Sequence, residues 1–262
     1  MIKQGTVWDE LAGVFVRTPI GNVTLAADSF APEDRHYAEY EWSAALYGWL
    51  NAQSCPIVNP PAPGRSATMR VSHPILRSAL TQAGFAHCDQ VVLTQKERVL
   101  EQYDRWNRHV RLHALSPSGR PLYVHGVEGV NVLQALGPGE PVVMQPVPEG
   151  QRLHVFVVGQ TVIGGRWRTA VQNAVLRERV LDAVTVFPHV AQQCRQVTRA
   201  LGVLFAEFEL VQGRDEQIYC MGVSDSPLYD QCSDVLRESI VRSLASLCGV
   251  PVGQVTQQVR YA

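Results

Sequence analysis

No apolar run in this chain approaches the ~20 residues that a membrane-spanning helix needs. The six cysteines form no CxxC pair, so zinc-ribbon and thioredoxin-like frameworks fail on spacing. There is no G-x-S-x-G elbow, which leaves serine-hydrolase chemistry without support. Two glycine-rich stretches, HGVEG (125–129) and GPGEP (137–141), lack the Lys-Ser/Thr pair that completes a phosphate-cradling P-loop. An excess of one charge is also missing. With 23 basic and 24 acidic residues the net charge is −1, so no overall field favours nucleic acid or an anionic membrane. The opening MIKQGTVWDE has neither the basic nor the apolar block of a signal peptide, and a cytoplasmic location is the expectation.

What is present is core-forming material. An apolar fraction of 46% over 262 residues supports one large domain or two modest ones. The dispersed Cys55, Cys88, Cys194, Cys220, Cys232 and Cys248 read as reduced residues acting as small hydrophobes. LAGVFV (11–16) predicts a short strand. Residues 33–51 predict a helix whose apolar face carries Ala38, Trp42, Ala45 and Trp49, widened by Tyr40, Leu46 and Leu50. NPPAPG (59–64) excludes helix or central strand and marks a linker. A second helix runs from His73 to Ala83, with Ile75, Leu76, Ala79, Leu80 and Ala83 inward and Gly84 as its stop.

QVVLT (90–94) is then a strand and 96–109 an amphipathic helix. VRLHALS and RPLYVHG form a hairpin around PSG. Further on, RLHVFVVG and TVIGGRW are strands joined at Gly159-Gln160, and 189–201 is a helix. GVLFAEFELV and QIYCMGV are strands about the turn QGRDE. A last helix over about 230–248 buries Val235, Leu236, Ile240, Leu244 and Leu247. Periodicity leaves 167–187 without an assignment. Mixed strands and helices give an α+β layered protein.

Several segments occur in an order that carries a resemblance. VFVRTP (14–19) is followed by a glutamate-led stretch from Glu41 ending in Asn-Pro-Pro at 59–61. Then come HPILRSALTQAGFAHCDQVVLTQ, with Pro74, Gly84 and Thr94, VVMQPVPEGQRLHVFVVGQTV, and AEFELVQGRDEQIYCMGVSDSP. From about residue 8 to 248 the series resembles the ATP-grasp peptide ligases of the microviridin (graspetide) maturation type. That resemblance implies an ATP-grasp-like α+β fold, with two mixed α/β subdomains flanking a cleft. Residues 1–64 would be a truncated N-terminal portion. Residues 65–262 would be the ATP-grasp-like region, split into about 65–143 and 144–262.

The family's chemistry, as the resemblance implies it, is ATP-driven ligation through an acyl phosphate. Clustered phosphate charge must be balanced, and catalysis is largely positioning and electrostatics. Position by position, the balancing groups are missing. The two phosphate lysines fall on His73 and His113, and an arginine falls on His154. The first magnesium carboxylate is kept as Glu209. The second falls on Gly222 and the metal-binding asparagine on Ser224, with Asp225 one residue away. Two lost lysine contacts at ~2 kcal/mol each are worth about a thousandfold in affinity or rate. The three histidines are either an imidazole cluster repurposed for a metal or another anion, or ordinary polar residues at a cleft mouth.

Other candidates remain open. The resemblance makes Met144, Gln145 and Val147 the hinge that meets adenine; as residues they read as a buried strand. SPSGR (116–120) or HGVEGVN (125–131) is a phosphate lid or a simple turn. Glu207 and Glu209 share a strand face, as a cleft pair or as solvated side chains. Arg166 and Arg168, alternating with Trp167, would hold a substrate carboxylate or phosphate, or form a surface pair. His109 and His113 are four apart but lie in a strand-like segment. The expectation is a catalytically degenerate binding or scaffolding partner in ribosomal-peptide maturation, with no cofactor. The alternative is an active ATP- and Mg-dependent carboxylate–amine or carboxylate–hydroxyl ligase. The partners implied are a precursor peptide or an intact ATP-grasp ligase, and a homodimer, with no nucleic acid and no membrane.

Overall fold

The computed structural model describes residues 11–16, 31–60, 74–114, 122–137, 139, 141–172, 175–227, 229 and 231–250. Two antiparallel sheets carry the architecture. The first has four strands, β3 (Val91–Leu93), β4 (His109–Ala114), β5 (Leu122–His125) and β6 (Val142–Pro146), in the order β3-β6-β4-β5. The second has five, β7 (Gly150–Val158), β8 (Thr161–Gln172), β9 (Val175–Val184), β10 (Phe205–Gly213) and β11 (Ile218–Ser224), in the order β11-β10-β7-β8-β9. The chain passes between sheets at residues 147–149. The sequence division at 143/144 therefore falls inside β6. The segment 167–187, which periodicity left unassigned, is the end of β8, all of β9 and the approach to the next helix.

Strand alternation sorts the side chains into layers. One face of the four-stranded sheet packs Val110, Leu112, Val124 and Met144 against α3 (Lys96–Arg105) and α4 (Gly129–Gln134), where Val99, Tyr103 and Leu133 are buried. The five-stranded sheet is covered on both faces. Val155, Val157, Ala206, Phe208 and Leu210 meet α2 (Pro74–Gln82) and α5 (Pro188–Leu201). Phe156, Val158 and Phe205 meet Leu236, Ile240 and Leu244 of α6 (Asp234–Leu247). Gly84 (φ 81°) and Gly202 (φ 62°) end α2 and α5 in the left-handed conformation. Phe85 and Val203 then donate back to Leu80 and Thr198.

Three helical expectations need correction. Ile75 and Val235 are 61% and 67% exposed. Each sits in the first turn of its helix, one step round from the stripe that is buried, Leu76–Ala79–Leu80 in α2 and Leu236–Ile240–Leu244 in α6. Among the described side chains of α1 (Pro32–Asn51) only Leu50 is buried, while Tyr40, Trp42 and Ala45 are exposed. Periodicity gives that helix a face, but among the described residues no sheet or helix covers most of it.

The N-terminal strands are held by Val58 and Phe15, which pack into the α6 core, and by the hydrogen bonds of Asn59. β1 (Val14–Phe15) and β2 (Ile57–Val58) pair in parallel. Asn59, buried and at φ 53°, follows directly. Its Oδ1 accepts from the backbone N–H groups of Leu204 and Phe205 at 2.8 and 3.0 Å. Its Nδ2 donates to the carbonyls of Phe205 and Asp225. Among the described residues no helix is long and apolar enough to cross a membrane.

Candidate functional site at the junction of the two sheets

The second face of the four-stranded sheet carries Arg111, His113, Tyr123, Val143 and Gln145, which strand alternation sets opposite to the α3/α4 core. Arg111 is flanked in register by Tyr123 on β5 and Gln145 on β6. Arg111, His113 and Gln145 are buried, at 8%, 6% and 1% exposure. On the five-stranded sheet, register aligns Gly222, Glu209, His154 and Gly165 in one row across β11, β10, β7 and β8. Val147, Val211 and Met221, with Cys88, Tyr123 and Tyr219 against them, form an apolar floor where the sheets meet.

Several charged and polar groups of this junction pair with one another, although Arg111 Nε and Gln145 Oε1 are buried without a hydrogen bond. Arg111 Nε lies 3.5 Å from Glu209 Oε2, with the two side chains 10% and 16% exposed. The Tyr123 hydroxyl donates to the other carboxylate oxygen of Glu209. Burial first, and the Glu209 carboxylate second, push that hydroxyl far above the usual phenol range, so it stays a donor. Arg152 places its guanidinium carbon 3.7 Å from the centre of the Tyr123 ring. Gly222, opposite Glu209, makes room: a Cβ there would come within 2.8 Å of Arg111 Nη2.

A second set lies beside the first. Trp167 Nε1 donates to His154 Nε2 at 2.7 Å, and His154 Nδ1 lies 2.7 Å from Glu207 Oε1. An indole nitrogen only donates, so His154 Nε2 is the acceptor and its proton sits on Nδ1, directed at Glu207. The rings of His154 and Trp167 meet edge to face, 5.4 Å apart.

The residues singled out in the sequence are only partly brought together. His154, Glu207 and Glu209 meet at this junction, and His113 lies buried on the facing strand beyond Arg111. His73 and the PSG turn with SPSGR lie outside the described residues. Met144 packs in the α3/α4 core, facing away from the junction, whereas Gln145 and Val147 face it. Arg166 is exposed on the sheet face opposite Trp167, because adjacent strand residues point to opposite sides. It is therefore removed from the His154–Glu207–Glu209 group. Arg168 stands opposite Val180 in the β8–β9 register. His109 opens β4 at the far end from His113, opposite His125.

Sequence reasoning missed Arg111 and Tyr123. Arg111 had a signal, since it is two residues from His113 and must share its strand face. The thiols nearby are poor nucleophiles. Burial pushes Cys220 up to about 12, and burial together with Asp89 pushes Cys88 up to about 12, against a small opposing effect of Gln145.

The residues present do not fit a magnesium ion. Mg²⁺ demands several hard oxygen ligands in near-octahedral geometry. Here one Glu209 oxygen faces a guanidinium, the other accepts from a phenol, and position 222 offers no side chain. Ser224 Oγ accepts from the Ser226 N–H. Among the described residues no group of three or more His, Cys, Asp or Glu side chains is placed to hold a metal.

No family model matches this sequence, and no curated protein matches it. Solved structures do. The ATP-grasp ligase PsnB, complexed with a minimal precursor, superposes with a TM-score of 0.64 at 16% identity, over 90% of this chain and 78% of that one. The macrocyclase MdnC from Microcystis aeruginosa MRC, bound with precursor peptide MdnA, gives 0.61 at 14% identity, over 82% and 70%. A RimK domain ATP-grasp protein from Sphaerobacter thermophilus DSM 20745 gives 0.54 at 19%, over 79% and 75%. The two sheets with their helical layers are thus an ATP-grasp fold, in the form shared with ligases crystallised with precursor peptides.

Proposed function

We propose that this chain is a non-catalytic ATP-grasp-like protein that serves as a binding or scaffolding partner in the maturation of a ribosomally made peptide, beside an active ligase. One observation carries the reading: both junction carboxylates are taken up by the chain's own side chains, Glu209 by Arg111 and Tyr123, Glu207 by His154. A ligase of this fold needs such carboxylates turned toward a metal, and cationic groups turned toward phosphate. His154, at one candidate phosphate position, instead accepts from Trp167 and directs its proton at a carboxylate. No cofactor is needed for a role of this kind. The peptide setting is supported by neighbours of the same fold that were crystallised with precursor peptides.

The test is ADP release by the purified chain with ATP, Mg²⁺ and a panel of precursor peptides and amine or hydroxyl acceptors. The reading expects none above background. Acceptor-dependent ADP release that is lost in Glu209→Gln would establish the alternative, an active ligase with substituted ligands.

A further inference from the structure

We infer that Arg111 is a built-in counter-cation that neutralises Glu209 and straps the four-stranded sheet to the five-stranded sheet, in the place where a bound divalent cation would otherwise be required. The inference goes beyond the proposed role and is independent of which partner the chain serves.

The contacts converge from both sheets. Arg111 leaves β4 of one sheet and Glu209 leaves β10 of the other, with Nε and Oε2 3.5 Å apart and both side chains mostly withdrawn from water. Tyr123, which neighbours Arg111 in register, reaches the second oxygen of the same carboxylate. In the reverse direction Arg152 of β7 lies over the Tyr123 ring at 3.7 Å. Each of these three contacts runs from one sheet to the other. At this depth opposite charges are screened far less than on the surface. Deleting one partner strands the other as a buried, uncompensated charge.

The arginine is also seated. Gly222 stands opposite Glu209 in the β10–β11 register, and its missing side chain is the space that Arg111 Nη2 fills, 2.8 Å from where a Cβ would be. A carboxylate at position 222 would project into that same space. The bare position 222 and the guanidinium reaching it from the facing sheet are complementary in shape. A metal ion exchanges with solvent and with chelators, whereas a guanidinium is covalently attached and always charged. The bridge between the sheets therefore does not depend on metal.

The experiment uses the full chain as wild type, Arg111→Met, Glu209→Met and the double variant. Two quantities are read: Mn²⁺ binding by electron paramagnetic resonance, and Tm with and without EDTA. Wild type is expected to bind no Mn²⁺ at millimolar metal and to melt at the same temperature with or without chelator. Arg111→Met leaves one Glu209 oxygen without its guanidinium, while Tyr123 still donates to the other; it is expected to melt about 5 °C or more below wild type and to show saturable Mn²⁺ binding at millimolar metal, where wild type shows none. The double variant is expected to recover most of the lost Tm and none of the Mn²⁺ binding, as a coupled pair requires. It also covers the case in which Arg111→Met fails to fold, because the proposal requires the double variant to fold. Stoichiometric Mn²⁺ binding by wild type, a wild-type Tm that shifts with EDTA, or a double variant no more stable than the worse single one would each overturn the proposal.

Discussion

The guanidinium of Arg111 occupies the side-chain space of Gly222, 2.8 Å from the point where a Cβ would stand, and from there it faces Glu209. Arginine and glycine lie on different sheets, so the fit ties the packing of the junction to its charge balance.

Gly222→Ala is the mildest probe of that fit. The added methyl meets the tip of a long side chain, but one that is buried and has little room to retreat. The expected cost is about 1–3 kcal/mol, from displacing the guanidinium and loosening its pairing with Glu209. Chemical denaturation measures it; an unchanged midpoint would mean that Arg111 does not rest against position 222.

Trp167→Phe keeps the ring packing and removes the N–H given to His154. Leaving Nε2 of a buried imidazole without its donor should cost about 1–2 kcal/mol. Nitrogen NMR supplies a sharper reading. In wild type His154 should carry its proton on Nδ1, and in the variant the two tautomers should exchange. A wild-type His154 protonated on Nε2 would contradict the assignment.

Asn59→Ala removes the four side-chain hydrogen bonds through which Asn59 holds residues 204, 205 and 225. It also places alanine at φ 53°. The expected loss is roughly 2–5 kcal/mol, with hydrogen exchange rising first in β1 and β2. Asn59→Gly separates the backbone contribution, because glycine tolerates that φ.

Stability should fall on mild acidification. Burial and Arg77 hold His87 below the ordinary imidazole value; burial, Arg152 and His125 do the same for His109, opposed by Glu149. The unfolded chain therefore binds protons at these sites at higher pH than the folded one. The stabilisation is complete above the unfolded imidazole pKa of about 6.5, shrinks below it, and is lost as pH falls through the lower folded-state values. Tm should be flat from about pH 8 to 7 and decline toward pH 5, and His109→Gln should flatten that slope. An equal slope in the variant would remove His109 from the account.

Much of the fold was legible because local signals are short-ranged. Gly84 and the apolar stripe from Leu76 to Ala83 define α2 within eleven residues, and Gly159-Gln160 marks the turn between β7 and β8. The segment 167–187 was not legible, since β8 and β9 have no simple alternation of apolar and polar residues. At the site, the resemblance implied which charged groups would be missing, but not how the junction's own side chains pair. The Arg111–Glu209 pair joins strands almost a hundred residues apart on different sheets. Only the alternation that puts Arg111 beside His113 hinted at it. The same alternation, with Trp167 facing His154, excludes Arg166 from the junction.

Calorimetric titration of ATP with Mg²⁺ into the wild-type chain tests the central claim most directly, that the junction's carboxylates are already balanced from within. The account predicts no magnesium-dependent heat and no saturable binding at millimolar nucleotide. Saturable ATP binding that requires Mg²⁺ and disappears in Glu209→Gln would contradict it.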